Sequence, residues 1–142
     1  MSQLSLEQAR TIIANAANHG NGRSLKPLCI AVLDAGGHLI ALERQDGAST
    51  LRPNIAIAKA AGALGLGTSS RNIGEIAQER PSFIGALAAL APLGVIPAAG
   101  GLIIVDDQDR PIGAVGITGD TSDNDEECAL AGIAAAGLRP LR

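Results

Sequence analysis

The stretch Leu28-Cys29-Ile30-Ala31-Val32-Leu33-Asp34-Ala35-Gly36-Gly37-His38-Leu39-Ile40-Ala41-Leu42-Glu43-Arg44 decides the fold class. Two apolar runs flank a Gly-Gly turn, which is the pattern of a β-hairpin. A hairpin demands an antiparallel sheet. Both runs are nearly continuous rather than alternating, so the sheet is expected to be covered on both faces. A second hairpin is expected from Leu102-Ile103-Ile104-Val105 and Pro111-Ile112-Gly113-Ala114-Val115-Gly116-Ile117 around the turn Asp106 to Arg110. Between Gly94 and Pro97 the chain reads as one further brief strand.

The segments around these hairpins read as helices. Ser5-Leu6-Glu7-Gln8 is a capping box, and Leu6, Ala9, Ile12, Ile13 and Ala16 follow at helical spacing up to a stop at Gly20. Residues 51–66 carry Pro53 in a first turn and then Ile55, Ala56, Ala58, Lys59 and Ala63. Pro81 divides residues 68–91 into two shorter helices, and Thr121 or Ser122 caps a last helix that ends at Gly137. The order predicts one α+β domain over residues 1–142, a three-layer α/β/α arrangement rather than a doubly wound parallel one.

Composition excludes several function classes. The chain is 46% hydrophobic and 18% charged, which is globular and not disordered. It has one Phe, no Trp and no Tyr, so it lacks the aromatic faces of a base-stacking platform. A net charge of -3 removes the basic footprint of a nucleic-acid binder. No apolar stretch reaches the length of a membrane span, and the N-terminus has no signal-peptide pattern. Cys29 and Cys128 fit no metal spacing and read as reduced thiols of a cytoplasmic protein. No Walker A, dinucleotide or nucleophile-elbow motif is present. High apolar content with few charges favours a homo-oligomer over a monomer.

Four segments together resemble the GlcG/HbpS-like haem-binding family, which is also found as the C-terminal domain of PduO-type corrinoid adenosyltransferases. They are Ile30 to Leu39, Arg44-Gln45-Asp46-Gly47-Ala48, Ile55-Ala56-Ile57-Ala58-Lys59-Ala60, and Gly100-Gly101 through Gly113–Gly119 to Thr121 and Asp125. The resemblance implies a five-stranded antiparallel sheet with helices on both faces, homo-oligomers, and haem or a related tetrapyrrole as ligand. Family members also occur in catabolic operons. Where the family has Phe and Pro-Thr after the Lys-bearing helix, this chain has Leu64-Gly65-Leu66-Gly67-Thr68, which removes an aromatic that could pack on a flat ligand.

The candidate site residues follow from chemistry. His38, after the Gly-Gly turn, and His19, at the end of the first helix, are the two imidazoles that could ligate haem iron. The alternatives are a solvent-facing turn residue for His38 and a helix-dipole complement for His19. Two histidines so far apart make no structural zinc site. Arg44 and Lys59 could clamp a carboxylate or a haem propionate. Lys59 sits amid Ile and Ala, and if buried it would pair with Asp46 or Asp34. Thr121 lies at a helix N-terminus suited to an anion, though surrounding acids oppose one. A second function class is an enzyme acting on a small carboxylated catabolite, of isomerase or hydrolase type. In it Lys59 or Arg44 would hold the carboxylate, and Asp34 or Asp125 would shuttle a proton. A third is an accessory protein in which all these charges are salt bridges and caps.

Overall fold

The computed structural model describes residues 3–142. The chain runs α1 (Leu6–Gly22), β1 (Cys29–Asp34), β2 (Leu39–Arg44), α2 (Arg52–Leu66), α3 (Ser70–Glu79), α4 (Pro81–Leu87), β3 (Gly101–Val105), β4 (Pro111–Thr118), α5 (Ser122–Ala135) and β5 (Arg139–Pro140). The five strands form one antiparallel sheet in the order β2-β1-β4-β3-β5. Helices α1 and α5 cover one face, and α2 covers the other with α3 beside it. This is the α+β three-layer domain expected from the hairpins.

The strands are apolar throughout because they use the two faces differently. Ile30, Val32, Val115 and Ile117 point toward α1 and α5 and build the main core. The α2 face carries Ala31, Ala114, Gly101 and Gly116. A Cβ on Gly116 would lie 1.9 Å from the Ala56 carbonyl oxygen, and one on Gly101 would lie 2.2 Å from that of Lys59. Helix α2 therefore rests its backbone directly on the sheet. Its own contact face is made of Ala56, Ala60 and Ala63, which lets the main chains approach this closely.

The caps form as the sequence dictates. Ser5 and Gln8 make both hydrogen bonds of the capping box, and the Thr121 hydroxyl accepts from the Asn124 amide at 3.2 Å. Three local expectations are corrected. Helix α1 runs past Gly20 to Gly22. Gly20 is a packing position, since a Cβ there would meet Leu28 Cδ1 at 2.8 Å. The segment between Gly94 and Pro97 is not a strand, because it lies across the helices: Val95 Cα would be 3.3 Å from a Cβ on Gly62 of α2, and the Pro97 carbonyl 2.8 Å from one on Gly74 of α3. The fifth strand is instead the C-terminal Arg139–Pro140, paired with Val105 and Ile104. Strand β2 lies at a sheet edge and is half-exposed rather than covered.

Candidate functional site

The hairpin turn and α2 enclose the most site-like feature of the molecule. An open groove of about 430 Å³ lies between the Gly36–Gly37 turn, the C-terminal end of α2 at Leu64 and Leu66, and the segment from Leu90 to Val95. Its volume falls in the range of about 300–1,000 Å³ usual for small-molecule sites. Every side chain lining it is aliphatic, or is absent at glycine. Leu90 and Leu93, with 78% and 47% of their surface exposed, extend the apolar lining at its edge. The segment that departs from the family pattern, Leu64-Gly65-Leu66, forms part of the wall.

His38 stands beside this rim, its Nδ1 only 3.0 Å from where a Cβ of Gly36 would be. The turn orients it. Asp34 Oδ1 accepts from the amides of Gly36 and His38, both at 2.9 Å, and lies 3.4 Å from His38 Nδ1. Those amide bonds, His38's first, hold the Asp34 carboxyl below its ordinary pKa. The contact of the Asp34 carboxylate with Nδ1 is an ion-pair approach and leaves Nε2 open on a side chain that is 82% exposed.

The other candidates gather at the opposite end of the sheet. Arg44 pairs with Cys29 across β1–β2, while Leu39 pairs with Leu33, so His38 and Arg44 are separated by a strand length of roughly 20 Å. Arg44 and Asp46 are exposed. Lys59 is 3% exposed and donates to the Ile117 carbonyl at 2.9 Å and to Asp125 Oδ2 at 3.3 Å. Its partner is thus Asp125, not Asp34 or Asp46. Asp34 ends β1 at the far end of the sheet and Asp46 is exposed after β2, whereas α5 begins where β4 ends, over the Lys59 amine. Burial pushes Lys59 down and Asp125 up, each against the attraction of the other. Asp34 sits opposite Gly113 at the start of β4, roughly 13 Å along the strand from Ile117. The proposed acid–base set therefore divides between two places, and neither Lys59 nor Asp125 lines the groove.

The first turns of α5 form a charge junction. Asp123 and Glu126 bind Arg71 of α3, and Glu127 binds both Arg23 and His19 Nε2, the latter at 3.0 Å. His19 is thereby tied to a surface ion-pair cluster on the α1–α5 side. Among the described residues, no three His, Cys, Asp or Glu side chains converge as a metal site. Arg71 and the exposed Leu90 and Leu93 escaped the sequence reading. The one signal for them was a Leu-Ala-Pro-Leu run without helical or strand periodicity.

Asp120, just before Thr121, accepts from the Asn124 side chain and from the amides of Lys26 and Thr121, which lowers its pKa from 3.8 to about 2. A depressed carboxylate contributes stability above its unfolded pKa and loses it as pH falls through the folded value. Wild type should therefore melt above Asp120→Asn near neutrality. The gap should close between about pH 4 and about pH 2, as followed by far-UV circular dichroism. A gap unchanged across that window would show that Asp120 carries no such stabilisation.

Comparison with known proteins places this architecture. In solved structures the chain is similar to the PduOC:haem complex, with a TM-score of 0.88 at 22% identity over 99% of this chain and 100% of that one. It is also similar to Klebsiella pneumoniae protein ORFY (TM-score 0.86, 24% identity, 96% and 93% covered). HbpS matches with a TM-score of 0.81 at 24% identity, over 94% of this chain and 90% of that one. No curated protein matches it in sequence. Among the described residues no helix is long and apolar enough to cross a membrane. The family model for the HbpS-like haem-degrading proteins matches residues 4–134, nearly the whole domain with both hairpins and the Asp34–His38 turn, and the chain belongs to that family.

Proposed function

We propose that the protein binds haem or a closely related tetrapyrrole in the apolar groove, with His38 as the iron ligand. The observation that carries this reading is the placement of an imidazole, backed on Nδ1 by the Asp34 carboxylate, beside an aliphatic groove of about 430 Å³. Haem needs a large flat apolar surface, which the groove supplies, and an iron ligand, for which the exposed His38 next to the Gly36–Gly37 rim is the candidate. The PduOC structure contains haem and the chain shares its fold, and the chain's own family is that of the HbpS-like haem-degrading proteins, which supports the same ligand class here. His19 fits less well, because its Nε2 is occupied by Glu127 within an ion-pair cluster. The acid–base enzyme finds no comparable support, since Lys59 and Asp125 are sealed from the groove.

The test is a visible-absorption titration with haemin. The chain has no Trp or Tyr and is nearly transparent in the near-UV, so new bands belong to the ligand. Wild type should show a Soret band that shifts and saturates at a fixed stoichiometry. His38→Ala should lose the shift and weaken binding by about tenfold or more, equivalent to about 1.4 kcal/mol. His19→Ala should titrate as wild type. A loss confined to His19→Ala would overturn the assignment of the ligand, and non-saturating adsorption by wild type would overturn the function.

A further inference from the structure

We infer that the groove recognises the ring of a tetrapyrrole and not its acidic side arms, so its ligands include macrocycles whose carboxylates are esterified or absent. The inference rests on the haem reading above and specifies the ligand class of that site. No side chain lining the groove carries a polar atom; only main-chain amides and carbonyls are available. A carboxylate placed against such a lining would lose its water and gain no partner. The acidic side chain nearest the rim offers no partner either, for Asp34 Oδ1 already accepts from the Gly36 and His38 amides.

The two cations expected to hold propionates, Arg44 and Lys59, lie elsewhere. Arg44 is a strand length from His38, at the other end of β1–β2. Lys59 is buried and already bound to Ile117 and Asp125. The floor suits a flat apolar plate: Gly65 has open space where a side chain would be, and Leu64, Leu66, Leu90 and Leu93 offer methyl groups around it. Affinity then comes from apolar area and from the imidazole, with the acid arms left in water. Binding of that kind has little dependence on salt, because screening acts on charge pairs that the complex does not make.

The experiment compares haemin with its dimethyl ester by Soret titration, at low salt and at about 0.5 M NaCl. The two ligands should bind with Kd values within about threefold of each other, and salt should change neither by more than about twofold. Leu90→Asp, at a residue 78% exposed that the core does not need, should weaken both ligands equally with an unchanged far-UV spectrum. Weaker binding of the ester by about tenfold, or haemin binding that fades with salt, would overturn the inference and point to a cationic clamp. Unchanged affinity in Leu90→Asp would move the ligand out of the groove and overturn it too. Failure of both ligands to saturate wild type would refute the haem reading itself, an outcome distinct from a difference between them.

Discussion

Lys59→Met alone should destabilise the protein by about 3–5 kcal/mol, and adding Asp125→Leu should restore most of the loss. The first change leaves the Asp125 carboxylate buried with the Asp120 amide at 3.0 Å as its remaining partner. The second removes that orphaned charge. Asp120 is itself half-exposed, so its amide can turn to water. The sign of the pH dependence follows. In Lys59→Met the folded state raises the Asp125 pKa, and a raised carboxyl contributes stability below its unfolded value and loses it as pH rises. The deficit of the single variant should therefore shrink as the solution is acidified toward about pH 4. Urea denaturation of wild type, single and double variants at pH 7 and pH 4 measures both effects. A double variant as unstable as the single would mean that the pair contributes net stability rather than fixing where α5 begins.

Gly116→Ala should be the most damaging single methyl group in the molecule. The new Cβ would stand 1.9 Å from the Ala56 carbonyl oxygen and 2.9 Å from the Ala60 amide, both main-chain atoms of α2. No side-chain rotation relieves such a clash, so α2 must lift from the sheet, and overpacking of this kind costs about 3 kcal/mol or more. Gly85→Ala is the matched control. It lies within α4 with open space around its would-be Cβ, and it should be neutral or gain about 0.5–1 kcal/mol from helix propensity. Far-UV melting curves of the two variants should move in opposite directions or differ by many degrees. Equal curves would show that α2 is free to shift on the sheet.

What could be read from the chain and what could not divide along sequence distance. The two hairpins, the Ser5–Gln8 capping box, the Thr121 cap and the break at Pro81 are all local, so a dozen residues contain their full cause. Strand β5 was invisible, since two residues carry no periodicity and Pro140 argues against a strand except at an edge. The partner of Lys59 was missed because it lies 66 residues away, brought over the amine by the turn from β4 into α5. The groove joins the Gly36–Gly37 turn, the end of α2 and the Leu90–Val95 segment, and no one of these announces the other two. His38 was legible as a residue type, and its Asp34 support lies within the same turn. The separation of Arg44 from His38, two residues expected to serve one ligand, emerges only from the hairpin register.

The seating of α2 on bare main chain has a consequence for how such a protein can diversify. One helix carries two surfaces with opposite tolerance: toward the sheet, a single added methyl group is forbidden, while toward the groove the exposed Gly65 and Leu66 are free to change size. Mutational drift is therefore channelled outward. A randomised library over these two positions with Leu90 and Leu93 should yield mostly folded clones with altered ligand preference, whereas one over the four positions Ala56, Ala60, Gly101 and Gly116 should yield almost none. The scaffold is rigid where it is glycine-rich and adaptable where it is leucine-rich, the reverse of what those residues usually signify.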